Sequence, residues 1–455
     1  LEEQFPATSE AGSALLAHHC MHAGFVEKAI SYRLRAAQQA TARSAMVETV
    51  AQLTQGLELL ADLPGGAKRD ELEIDLQVAL GAAFIATKGF AAPEVESAYE
   101  RARELCKQRA DHPQLPTVLY GMYAYHQHRS GTHVAYDVAA ELLGLAERRQ
   151  DTAACAVGHR CLATSALHSG NHRLAVAHFE RALAFYDLAD RRSPVFLPLT
   201  DIRVTALNFI PLIMLWRGDL DQAAMRSRTG LAAAHELGHA YTLSHVLHLN
   251  CWLHQHLGDP TTVRERAEEA LNLTAEHGFS LWEQHAVFWR GWALAAAGEF
   301  TAALVQMDDA IAILQAIGII NQRPFCLGLL AGVHTQAGSP TQALALLAEA
   351  LALVERTQER WFEAELHRLR AEALLAGSPL GAAEAEASLR RALAVARKQG
   401  AKFWELCAAL TLARLWLNQG KRREARDLLA PVYGWFTEGF DTRDLKEAKR
   451  LLDEL

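Results

Sequence analysis

The residues here with the clearest capacity for chemistry are histidines, 21 of them in 455 residues. They are densest at His235, His239, His245, His248, Cys251, His254 and His256. On a helix, His235 with His239 (i, i+4), or His245 with His248 (i, i+3), would put two imidazoles on one face, a spacing that could clamp a metal ion. A metal site needs more than two ligands. No HExxH string occurs, and no carboxylate stands among the second group to complete a set. Two-ligand pairs arise often by chance in a His-rich helix, so these read as surface or groove histidines and no metal or other cofactor is expected.

Other reactive groups give the same answer. There is no Gly-x-Ser-x-Gly elbow, and Cys155, Cys161, Cys326 and Cys407 sit in apolar helical contexts that suit core thiols. Seven cysteines, an odd number without CxxC pairs, point to reduced thiols in a cytoplasm rather than to a disulfide framework. Asp308-Asp309 and Glu268-Glu269 fall on polar faces in mid-helix, where carboxylates are solvated rather than catalytic. A phosphate loop needs Gly-x-x-x-x-Gly-Lys-Ser/Thr, and Gly420-Lys421 has Leu415 where the first Gly would stand. The chain is therefore not expected to be an enzyme.

What could position so many non-catalytic groups is set by composition. Half of the residues are hydrophobic and 22% charged, with 13 Pro and 29 Gly, which fits a folded chain with a large core and excludes disorder. A net charge of -8 leaves no basic footprint for nucleic acid and no polybasic stretch for a membrane surface. Apolar stretches such as Thr205 to Trp216 are too short to span a bilayer, and Leu1-Glu2-Glu3 does not begin a signal peptide. Without an initiator Met, Leu1 to Phe5 reads like the tail of a helix already under way, so the expectation is a soluble, cytoplasmic fragment of a longer protein.

A repeat organises the chain. Gly258, Gly298 and Gly338 recur 40 residues apart, and similar breaks occur at Gly131, Gly170 and Gly218. Seven residues before the break stands a small side chain: Ala17, Ala124, Ala163, Cys251, Gly291, Ala331 and Ala413, with Pro211 the exception. Five residues after it stands Ala (Ala29, Ala175, Ala223, Ala303, Ala343, Ala425), and twelve after it another (Ala36, Ala182, Ala270, Ala310, Ala350). Small residues at these offsets let two antiparallel helices approach closely. The stripe Leu304, Met307, Ile311 and Leu314 has helical spacing, and no sustained period-two alternation predicts a strand. The expectation is an all-α array of about ten helix pairs, with irregularities at Lys88 to Pro93 and at a loop from Asp190 to Leu199.

These small-residue positions resemble the tetratricopeptide repeat, except that the period is about 40 instead of 34. The resemblance implies a right-handed α-solenoid whose concave face is lined by the second, fifth, ninth and twelfth positions of each first helix. That register selects Tyr125, His128, Arg160, Thr164, Asn208, His245, His248, Trp252, His285, Phe288 and Trp292 as ligand- or partner-binding residues. A shift of one position would exchange Phe288 for Trp289. The mixture of aromatic and hydrogen-bonding groups suits an extended peptide, a partner helix or a small ligand.

Strings outside the repeat positions carry a closer resemblance. Leu1-Glu2-Glu3-Gln4-Phe5-Pro6, Leu16-Ala17-His18-His19, Lys88 to Val95 and Tyr433 to Thr442 are similar to the C-terminal region of a bacterial family. In that family a class III adenylate/guanylate cyclase domain and a signalling ATPase of the AAA/STAND type precede tetratricopeptide repeats. By this resemblance, residues 1–66 join to a preceding module, 67–430 form the repeat array, and 431–455 form a capping helix. The implied function is a sensor and protein-interaction arm that regulates the attached ATPase and cyclase. A free-standing adaptor that assembles partners is the alternative.

Overall fold

The computed structural model describes residues 12–43, 45–107, 112–190, 200–378 and 381–455. Among them the chain forms 22 helices and no strand. In order these are α1 (Ser13–His22), α2 (Val26–Ala42), α3 (Met46–Leu59), α4 (Ala67–Lys88), α5 (Pro93–Lys107), α6 (Leu115–Arg129), α7 (Thr132–Arg149) and α8 (Thr152–His168). There follow α9 (His172–Leu188), α10 (Ile202–Arg217), α11 (Leu220–Leu237), α12 (Ala240–His256), α13 (Pro260–His277), α14 (Ser280–Ala296) and α15 (Phe300–Ala316). The chain ends with α16 (Arg323–Gln336), α17 (Pro340–Thr357), α18 (Glu363–Gly377), α19 (Ala382–Gln399), α20 (Lys402–Asn418), α21 (Arg422–Tyr433) and α22 (Arg443–Glu454). The loop expected after Asp190 lies outside the described residues.

The architecture is a tetratricopeptide-like right-handed solenoid of antiparallel helix pairs, as the repeat predicts. Its beat is finer than the 40-residue spacing of the break glycines. Gly218, Gly238, Gly258, Gly278, Gly298, Gly318 and Gly338 all have positive φ, one every twentieth residue, and Gln358 continues the series at φ 58°. The unit is one helix of 14 to 18 residues and a short left-handed link, in which glycine avoids the Cβ clash. Side-chain caps reinforce some links: Asp151, Asn171, Asp201 and Asp259 each accept from a backbone N–H three residues on. Ser339 and Asp219 make no such bond.

Every small residue at the three repeat offsets is buried. At Gly291 a Cβ would lie 2.8 Å from Met307 Cγ and 3.1 Å from the Ala303 carbonyl oxygen, so the helix pair closes on the missing side chain. Pro211 holds the equivalent place inside α10 and is itself buried. At the C-terminus α22 lays Leu445, Ala448 and Leu451 against the preceding helices.

The solenoid also closes on itself. The Ile320 N–H donates to the His128 carbonyl (2.9 Å), and the Arg360 N–H to the His168 carbonyl (2.8 Å). The Gly439 N–H donates to Asp221 Oδ2 (2.9 Å), and the Gln222 side-chain amide to Glu438 (3.2 Å). A Cβ on Gly131 would lie 2.9 Å from the Thr357 carbonyl oxygen, and one on Gly218 would lie 2.6 Å from the Trp435 ring. The links of the middle repeats thus rest on segments roughly two hundred residues further along. Between them an axis of aromatic rings fills the interior. Trp361 stands 5.0 Å from Trp216, 4.5 Å from Trp252 and 5.1 Å from Phe325, ring centre to ring centre.

Candidate functional site on the inner face

First helices of successive pairs touch one another in series, so α6, α8, α10, α12 and α14 form the inner wall of the solenoid. Of the eleven residues selected by register, Trp252, Phe288, His248, His285, Asn208, Tyr125 and Thr164 are buried. His128, Arg160, His245 and Trp292 are half-buried. Trp252 belongs to the aromatic axis, whereas Phe288 meets only the ring of its neighbour Trp289, which itself packs on Phe325; Tyr125 donates from its hydroxyl to Glu96 of α5 (2.7 Å). Thr164 and Asn208 donate to carbonyls of their own helices, Arg160 and Val204. Trp292 packs at the edge of the main core.

The others converge on one chamber. His128 stacks flat on Phe90 at 4.5 Å, and His245 stacks on Trp282 at 4.8 Å. Arg160 places its guanidinium over Tyr120, 5.7 Å from the ring centre, with Nη2 3.5 Å from the Tyr120 hydroxyl. Burial holds the imidazoles neutral: His128 falls to about 4, His285 to about 4 and His245 to about 3. Mutual influence among His128, Arg160, His245 and His285 pushes the same way, which shows that α6, α8, α12 and α14 share this space. Among the described residues no carboxylate pairs with Arg160, and its Nε has no hydrogen-bond partner. A guanidinium carries five donors and is always charged, and the groups that favour its charge here are Tyr120, Cys161 and Tyr123.

His248 is tied more firmly. Trp289 Nε1 donates to His248 Nδ1 (3.0 Å), and because an indole nitrogen only donates, Nδ1 must be the acceptor and Nε2 carries the proton that goes to Gln322 Oε1 (3.0 Å). Gln322 has a left-handed backbone at φ 62°, and its N–H meets both oxygens of Glu359 (3.0 and 2.9 Å). Burial raises the Glu359 carboxyl to about 7. Tyr120, Tyr241, Trp282, Gln322 and Glu359 escaped the sequence reading. Tyr241 and Trp282 sit on the same helices as selected residues, one position of the inner face away, whereas nothing in the sequence ties Gln322 to a histidine 74 residues earlier.

Among the described residues no group of three or more His, Cys, Asp or Glu could hold a metal ion. The left-handed Gly238 separates His235, in the last turn of α11, from His239, which immediately precedes α12 and contacts Thr242 Oγ1 (2.7 Å). His235 meets Glu269 instead (3.1 Å). No described helix is long and apolar enough to cross a membrane.

Fold and inner face together define a tetratricopeptide-like solenoid. The chain is similar to the crystal structure of a Rap protein complexed with competence and sporulation factor, with a TM-score of 0.53 and 15% identity over 88% of this chain and 99% of that one. It also matches yeast Tom70 at a TM-score of 0.36 and 13% identity, over 98% and 96% of the two chains. In sequence it is 23% identical, over 389 residues, to an uncharacterized protein of Rhizobium meliloti (strain 1021). That match takes in 85% of this chain, which spans only 37% of the relative's length. No family model matches the chain.

Proposed function

We propose that this chain is a non-catalytic interaction arm that captures an extended peptide or partner segment on its inner face. The observation that carries the reading is Arg160, enclosed by α6, α8 and α12, flanked by neutral His128 and His245, and facing no carboxylate. An acidic side chain or a terminal carboxylate supplies the missing partner, while Tyr241 and Trp282 offer area for stacking. The similar Rap protein was crystallised with its factor bound, which is in keeping with a ligand on such a solenoid. The remaining selected residues, from Tyr125 to Trp292, support the wall on which that segment lies.

The arm regulates an attached signalling ATPase and nucleotide cyclase, a reading that rests on the family strings at residues 1–6, 16–19, 88–95 and 433–442. In this arrangement residues 1–66 join the module, 67–430 bind and 431–455 cap. A ligand that prefers one curvature of the array shifts its conformational equilibrium, and the neighbour reads that shift.

The test is selection of random peptides with free C-terminal carboxylates on the immobilised 455-residue chain, followed by fluorescence anisotropy. Binding that weakens about tenfold or more in Arg160→Gln supports the site. Binding of unchanged strength in Arg160→Gln and in His245→Ala removes it. Blotting the native polypeptide then separates an arm of a larger protein from a free-standing adaptor of about 50.0 kDa.

A further inference from the structure

Away from the Arg160 chamber, α12, α16, α18, α20 and α22 enclose a pocket of about 280 Å³. Its floor is aromatic and closed: His256, Phe362, Phe403 and Trp404 are each 4% exposed or less. Trp404 stands edge-on to His256 at 4.9 Å, and burial pushes that imidazole down to about 3, so it is uncharged. Three residues that line this space each bury a polar atom without a hydrogen-bond partner: Gln255 Oε1, His256 Nε2 and Trp404 Nε1. Buried polar atoms are seldom left unpaired, and three of them beside one cavity set its wall apart from the rest of the interior.

The rim is ionic and of both signs. On α18, Arg368 forks onto Glu365 with two bonds of 2.7 Å and also meets Glu372. Arg414 of α20 pairs with Glu447 of α22, and Arg443 pairs with Asp444 at 3.2 Å. In the last two pairs the arginine is held through Nη2, which leaves other guanidinium donors for a ligand. The side chains of Arg414, Glu372 and Arg443 are 42%, 41% and 66% exposed, so the pocket opens on this side. A purely anionic ligand would meet four carboxylates here, and a purely cationic one three guanidiniums. A small molecule that carries both charges at one end, with a planar body for the floor, satisfies the whole lining.

We propose that this pocket binds a free amino acid with an aromatic side chain. The ring lies on Trp404 and Phe403, the α-ammonium meets Glu372 and Glu447, and the α-carboxylate meets Arg414 and Arg443. Because α12 comes from one turn of the solenoid and α20 and α22 from the next, and a Cβ on Gly258 would lie 3.6 Å from the Arg443 guanidinium, an occupant fastens the two turns together.

The test is thermal unfolding of the 455-residue chain with each of the twenty amino acids. The expected result is a midpoint raised by a few degrees by at least one of Phe, Tyr, Trp and His. The N-acetylated amide of the same residue, which lacks both charges, should give no shift. In the double variant Arg414→Gln/Arg443→Gln, shown by circular dichroism to be folded, calorimetry should read affinity lowered about tenfold or more. Glu372→Gln, at a partly exposed carboxylate, gives a second reading, with the same direction expected. Amide exchange should slow in α20 and α22 when the ligand is present. No shift with any aromatic amino acid, a shift retained by the blocked amide, or affinity unchanged in both variants overturns the proposal.

Discussion

At the scale of the residue, the inner face depends on donors and acceptors that match one another through buried partners. Trp289 donates to His248, which then donates to Gln322, whose backbone N–H is taken by Glu359. Trp289→Phe keeps an aromatic ring and deletes the first donor, leaving His248 Nδ1 a buried acceptor without a partner. Such a loss costs about 1 to 3 kcal/mol, and the smaller ring adds a cavity term. Urea unfolding should therefore show a lower midpoint at an unchanged slope, while an unaltered midpoint would mean that this relay contributes nothing. The register borrowed from tetratricopeptide grooves reached His128, Arg160, His245, His248 and His285, which do share one interior. It also gathered Trp252, because a large aromatic on the inner face has the same sequence signature whether it meets a ligand or another turn of its own chain, and Phe288, where Trp289 one position on is the ring that meets His248 and Phe325. Gln322 and Glu359 were beyond reach, since their partnership depends on a left-handed residue in a link that no local pattern announces.

At the scale of the element, helices and their pairing were legible because their causes are local: apolar stripes at helical spacing, small residues where pairs close, and glycine at the links. The sequence pattern showed every second link and passed over Gly238, Gly278 and Gly318, whose backbone requirement is the same. What the links do beyond turning the chain was not legible. Gly298 has φ 86° with open space around it, whereas Gly131 has φ 111° and ψ 162° with the Thr357 carbonyl against it. Gly298→Ala should cost only the left-handed penalty of about 1 to 2 kcal/mol. Gly131→Ala enters a region almost reserved for glycine and meets a fixed backbone oxygen, so it should cost more, with an added rise in the radius of gyration by X-ray scattering as the turns part. Equal losses and unchanged scattering would show that the contact between turns is incidental.

At the scale of the whole molecule, closure of the solenoid drives an unusual number of imidazoles into the interior, and this makes stability depend on acid. Burial lowers His128, His159, His168, His172, His285 and His367 to about 4, and His245 and His256 to about 3. In the unfolded chain each titrates near 6.5, so between roughly pH 6.5 and pH 4 the unfolded state binds more protons than the folded one. Stability must then rise with pH across that window and be lost as pH falls through it. Glu359 works in the opposite sense: raised to about 7 from an ordinary 4.5, it binds more protons when folded, and its share of stability fades as pH rises from 4.5 to 7. Burial raises Asp75, Asp308 and Glu365 in the same sense, so four carboxyls stand against eight histidines and the histidines decide the sign. The urea midpoint should be nearly level above pH 7 and fall steeply between pH 6.5 and pH 5. Glu359→Gln should make that fall steeper, because one opposing group is gone, and His256→Gln should make it shallower by about one proton. A midpoint that stays level to pH 5 would mean that these imidazoles reach water, and with it the packing of one turn on the next would have to be given up.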